Sequence, residues 1–172
     1  SDSGNFIHSN LVIIDYKKKT FERFDPLKFT LHDNLPDSIN KKIYKNIDFI
    51  LNKIIKNKIG LDFKFISTDI IYGKLKGIQY FTDKYPETKN FCNVINILYL
   101  HMKLLNPNIK QNDIISYLLK LKNNELIDLI YNYSIYIENV LNDKKEIINE
   151  LDNEQFFHSK NLEKYDNFLQ IN

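Results

Sequence analysis

The chain has 172 residues, 43% hydrophobic and 27% charged, a profile that suits one globular domain with a sizeable core. One cysteine excludes an internal disulfide and a cysteine-built zinc site, no HExxH stretch replaces the latter, and no apolar run reaches the roughly 18 residues that cross a bilayer. Net charge is +2, with 16 basic and 11 acidic side chains in residues 1–91 and 8 and 11 in residues 92–172, a weaker basic bias than nucleic-acid domains carry.

Alanine and tryptophan are absent, and Asn, Ile and Lys supply 72 of the 172 residues. That composition reads as the imprint of an AT-rich genome, so many surface Asn and Lys carry no functional message. A lone cysteine suits a reducing compartment. The chain opens Ser1-Asp2 without methionine or signal peptide, which reads as a fragment or a trimmed chain.

Ser1 to Asn5 are small and polar and read as a frayed end. Leu11-Val12-Ile13-Ile14 is β-branched and apolar on both faces, the mark of a buried strand. Lys17-Lys18-Lys19 makes a charged turn, and Thr20 to Phe24 is the returning strand of an antiparallel hairpin, ended by Asp25-Pro26. Residues 27–37 read as a loop. A helix follows from Ser38, a good N-cap, to Lys58, with Gly60 as its stop. Its apolar stripe is Ile39, Ile43, Ile47, Ile50, Leu51 and Ile54, and its lysines fall mostly on the opposite, solvated face.

Residues 61–66 alternate like a strand, and residues 67–91, holding Gly73, Gly77 and Pro86, read as a long loop of the kind that is often functional. From Val94 to Leu105 the chain is apolar almost all round, a buried central helix stopped by Pro107, with Asn96, His101 and Lys103 as its polar interruptions. A helix capped by Asn112 or Asp113 runs to Lys122 and breaks at Asn123-Asn124. The next runs from Glu125 to Leu141 with Leu126, Leu129, Ile130, Tyr133, Ile137 and Leu141 inward. Ile147, Ile148 and Leu151 mark a last amphipathic helix, and residues 153–172 are polar with isolated aromatics. No repeat, linker or second-domain boundary interrupts residues 1–172.

Cys92 opens the central helix, where unpaired N–H groups and the helix dipole favour a thiolate. A thiol there is a nucleophile or a small apolar core residue. His8 precedes the first strand and Asp25 ends the second. A turn centred between Tyr16 and Lys17 sets them opposite one another, and one centred on the lysines slips the pairing by two or three residues. A carboxylate beside a histidine fixes its tautomer and stabilises the imidazolium. Gln79 precedes Cys92 and can donate to a tetrahedral oxyanion. His8, Asp25, Gln79 and Cys92 together describe acyl transfer through a thioester.

The order His, acid, Gln, Cys resembles that of the adenain/Ulp1-type (clan CE) cysteine proteases, most closely the thiol proteases of large DNA viruses. The resemblance is carried by His8-Ser9-Asn10 before the strand ending in Ile14-Asp15, by Glu22-Arg23-Phe24-Asp25-Pro26, by Gly77-Ile78-Gln79, by Phe91-Cys92, and by Leu104-Leu105-Asn106-Pro107. It spans about residues 6–110. The chain departs from the pattern in having no tryptophan after His8, Asn93 after the cysteine and Ile78 in place of proline. Seven residues precede His8, where the family carries substrate-binding structure.

The resemblance implies an α+β fold: a small antiparallel sheet packed on a central helix that carries the cysteine, with further helices as cover, papain-like or adenain-like. It implies a cysteine protease with a Cys-His-Asp triad and no cofactor or metal. Two substrates fit: ubiquitin or ubiquitin-like conjugates, or a viral precursor protein. The matching compartment is host cytoplasm or virion, without membrane or nucleic acid as partner. The alternatives are a papain order with His158 as the base and an inactive binding or virion module on the same fold. His101 is excluded, since nine helical residues put it about 13 Å along the axis from Cys92. Asp15 reads as a turn residue and a weaker substitute for Asp25.

Overall fold

A computed structural model describes residues 8–28, 36–85 and 91–143. Strand β1 (Leu11–Asp15) and β2 (Thr20–Phe24) form the expected antiparallel hairpin across a turn at Tyr16–Lys19. β1 is not buried on both faces. Leu11 and Ile13 pack on the core, while Val12 and Ile14 are 39% and 37% exposed at the sheet edge. A strand with one covered face alternates, whatever its composition.

Helix α1 (Asp37–Ile59) starts after Pro36, so Ser38 lies inside its first turn instead of capping it; Gly60, at φ 127°, ends it as expected. Its inward face is rotated from the apolar stripe. Asn40 and Tyr44 are buried, whereas Ile39, Ile50 and Ile54 are 45%, 52% and 53% exposed. The cause is Arg23 of β2, a buried guanidinium that recruits Asp48 and Tyr44 from α1. A buried charge must be paired, and that demand sets the helix's rotation against the pull of its isoleucines.

Strand β3 (Lys64–Ile66) pairs with β2 in parallel, giving a mixed sheet in the order β1-β2-β3 where an antiparallel one was expected. The α1 crossover returns the chain in its original direction. The stretch read as a long loop holds two short helices, α2 (Thr68–Tyr72) and α3 (Ile78–Thr82). Ser67 caps the first, accepting from the Ile70 amide at 3.4 Å, and Gly73 at φ 55° stops it. Five residues are too few to show a helical period.

Helix α4 (Cys92–Leu105) is the central one. Leu98, Tyr99 and Met102 are fully buried, but Ile97 and Leu104 are 44% and 68% exposed, so one side of it meets solvent. Asn106 closes it by donating to the Met102 carbonyl at 2.7 Å, ahead of Pro107. Helices α5 (Gln111–Lys120) and α6 (Asn123–Asp143) follow, with the break at Leu121-Lys122 and not at the asparagines. Leu126, Leu129, Ile130 and Tyr133 point inward, while Leu141 is 54% exposed. The frayed terminus, the helix expected around Ile147 to Leu151, the tail 153–172 and His158 lie outside the described residues.

The result is an α+β fold in which β2 is the most buried strand. Phe24 is stacked between Tyr72 at 5.8 Å and Tyr99 at 3.9 Å. Glu22, 2% exposed, accepts from Tyr99 (3.1 Å), Lys103 (2.5 Å) and Gln111 (2.9 Å), fastening α4 and α5 to the sheet. No helix among the described residues is long and apolar enough to cross a membrane.

Candidate active site

The hairpin ladder pairs Leu11 with Phe24 and Asp15 with Thr20. Its turn is centred between Lys17 and Lys18, one residue beyond the centre that would set His8 opposite Asp25. The ladder therefore slips by two. Side chains alternate faces along a strand, so a slip of two keeps both residues on one face and makes them diagonal neighbours. His8 Nε2 lies 2.7 Å from Asp25 Oδ1, with the two side chains 6% and 1% exposed.

Asp25 is held from several sides. Its Oδ1 also accepts the Leu27 amide at 3.0 Å, and its Oδ2 faces Arg23 Nη1 at 3.4 Å. Arg23 donates further to Asn10 Oδ1 and to Asp48 Oδ1, each at 2.7 Å, and lies 4.9 Å over the Tyr44 ring. Burial first, and the Asp25 carboxylate second, hold the Tyr44 phenol far above its usual range; the same two causes act on Tyr72. Burial raises the Asp48 carboxyl against the opposing pull of Arg23. One guanidinium thus serves two carboxyl groups, Asp25 and Asp48.

Gln79 reaches the same corner. Its backbone N–H donates to the Pro26 carbonyl at 3.0 Å, which ties α3 to the turn that follows Asp25. The close approach needs glycine at position 77: an added Cβ would come within 2.5 Å of the Pro26 oxygen and the Leu27 carbon, both backbone. The Gln79 side chain is fully buried, and neither amide atom has a hydrogen-bond partner among the described residues. Leaving such an amide unsatisfied costs about 1–3 kcal/mol.

Cys92 is the first residue of α4 and is 3% exposed. Four residues on, Asn96 donates to the Ser9 carbonyl at 3.2 Å and to its hydroxyl at 2.9 Å. Cys92, Asn96, Tyr99 and Lys103 share one side of the helix, being spaced by fours and threes. Along that side Lys103 and Tyr99 meet Glu22, and Asn96 meets the residue after His8. Cys92 is one turn further towards the helix start, about 6 Å along the axis from Asn96.

The other histidine and acid considered in the sequence fall elsewhere. His101 Nδ1 is 3.0 Å from the Tyr133 hydroxyl, on α6. Asp15 accepts the Lys18 amide at 2.8 Å, as a turn residue does, at the far end of the hairpin from His8. Among the described residues no group of three His, Cys, Asp or Glu side chains is placed to hold a metal ion. The roles of Arg23, Asp48, Tyr44 and Gly77 were not read from the sequence. Asn96 carried a usable signal, a polar interruption four residues after the cysteine. No family model matches the chain, and neither a curated protein nor a solved structure does.

Proposed function

We propose that the chain is a cysteine protease of the adenain/Ulp1 type, hydrolysing peptide or isopeptide bonds through Cys92, His8 and Asp25. The observation that carries this reading is the buried 2.7 Å contact between His8 and Asp25, beside the Ser9–Asn96 link to the helix that Cys92 opens.

Asp25 engages Nε2 of the imidazole, which makes Nδ1 the nitrogen that takes the thiol proton. The Cys92 thiolate attacks the scissile carbonyl carbon and a C–S bond forms. Gln79 donates to the resulting oxyanion. His8 returns the proton to the leaving amine as the C–N bond breaks. It then deprotonates the water that cleaves the thioester and frees the thiol. Asp25, fixed by Arg23 and the Leu27 amide, holds the ring and balances its charge.

Two substrate classes fit, a ubiquitin or ubiquitin-like conjugate and a viral precursor, and the matching compartment is host cytoplasm or virion. Electrophilic probes built on the C-terminus of ubiquitin and of ubiquitin-like proteins test the reading. Labelling is expected, with loss in Cys92→Ala and a fall of about 10²–10⁴-fold in rate in His8→Ala. Labelling that survives Cys92→Ala overturns it. The 3% exposure of Cys92 favours a second reading, an inactive binding or virion module on the same fold. A thiol that reacts with iodoacetamide only above about pH 8 would select that reading.

A further inference from the structure

A cavity of about 540 Å³ lies on the α1 side of the sheet, and four lysines line it: Lys28, Lys41, Lys45 and Lys74. They come from three separate segments: the turn after Asp25, helix α1 and the link between α2 and α3. Two carboxylates share the lining, Asp48 and Asp69, and Asp48 is already bonded to Arg23 at 2.7 Å. The lining therefore carries a formal charge of +2 before Arg23 is counted.

Lysines on a solvated helix face spread apart into water. Here four of them, three still exposed to solvent, line one concavity. Lys28 is fixed in its wall, donating to the Gly73 and Leu75 carbonyls at 2.7 and 2.6 Å. Burial chiefly, and the nearby Lys41 charge in addition, lower its pKa, while Asp69 opposes them. Positive charge held together in this way is stabilised by an anion between the ammonium groups.

The lining also indicates the ligand's class. Among the described residues it contains no aliphatic or aromatic side chain, so nothing offers a platform for a stacked base or an apolar ring. Lysine ammonium groups act as point charges towards phosphate oxygens. We infer that this cavity is a binding site for a small, multiply charged phosphate oxyanion, of the polyphosphate or phosphorylated-polyol class. The inference stands independently of the hydrolase reading, because it concerns binding at a separate cavity.

Calorimetric titration of the full chain with tripolyphosphate, at about 0.15 M salt, tests it. Saturable one-site binding is expected, weakening from tripolyphosphate to pyrophosphate to phosphate. Lys41→Gln/Lys45→Gln should raise Kd about tenfold or more, and Lys74→Gln, from another wall, should act in the same sense. Lys42→Gln/Lys53→Gln removes the same charge from α1 outside the cavity and should change Kd by less than about twofold. Thermal melts report that each variant is folded. Equal weakening by both α1 pairs, absence of saturable binding, or preference for a single-stranded oligonucleotide at equal phosphate would each overturn the assignment.

Discussion

Arg23 is one side chain on which the candidate triad rests without belonging to it. It joins Asn10, Asp25 and Asp48, residues that come from the strand start, the strand end and α1. Lysine cannot reproduce this fork of donors. Arg23→Lys should lower stability by about 3 kcal/mol, read as a shift in the urea midpoint, because two largely buried carboxylates lose their shared partner. An unchanged midpoint would mean that the cluster is not structural. In the sequence, Arg23 is simply a charged residue of the returning strand. Only the arrival of α1, some 25 residues later, turns it into a buried charge. The His8–Asp25 pair was legible because strand parity survives a register slip of two.

At the scale of elements, two of the unexpected features are the rotation of α1 and the short α3. Ile50 and Ile54 are more than half exposed, so Ile50→Gln and Ile54→Gln should each alter stability by no more than about 0.5 kcal/mol. Were the apolar stripe the packed face, each would cost several times that in a thermal melt. The amphipathic pattern located the helix and its Gly60 end correctly. It could not set the helix's orientation, because period analysis gives no weight to a distant guanidinium. Helix α3 escaped detection for a different reason: it is one turn and a half, and it is held by the close approach of Gly77 to the Pro26-Leu27 backbone. Gly77→Ala should cost about 1–3 kcal/mol by overpacking and shift Gln79 away from the Asp25 turn. Under the proposed function, probe labelling should fall by more than the fraction unfolded accounts for, which circular dichroism on the same sample measures.

For the molecule as a whole, the buried tyrosines set a response to alkali. Tyr44, Tyr72 and Tyr99 have phenols raised well above their usual range, mainly by burial. A group whose pKa is raised on folding adds stability below its unfolded value and loses that stability as pH climbs past it. The loss should therefore begin near pH 10, steepening by about 1.4 kcal/mol per pH unit for each phenol that ionises only on unfolding. Denaturant midpoints between pH 8 and 11 should fall accordingly, and Tyr44→Phe should make the decline shallower. The inward face of α6 was largely visible in the sequence, since Leu126, Leu129, Ile130 and Tyr133 lie on a regular period and are buried. The sheet's third strand was visible too, but its direction was not: period tells that a strand exists and is silent on which way it runs.

That direction has a temporal consequence. The β1-β2 hairpin closes across a four-residue turn, whereas β3 can align with β2 only after the whole of α1 has been laid down between them. Long closures form later than short ones, because more chain freedom is surrendered before any contact rewards it. During refolding the imidazole and its carboxylate partner thus come together first, in a half-built corner. Helix α4, later still in the chain, should dock on the sheet after that hairpin has closed.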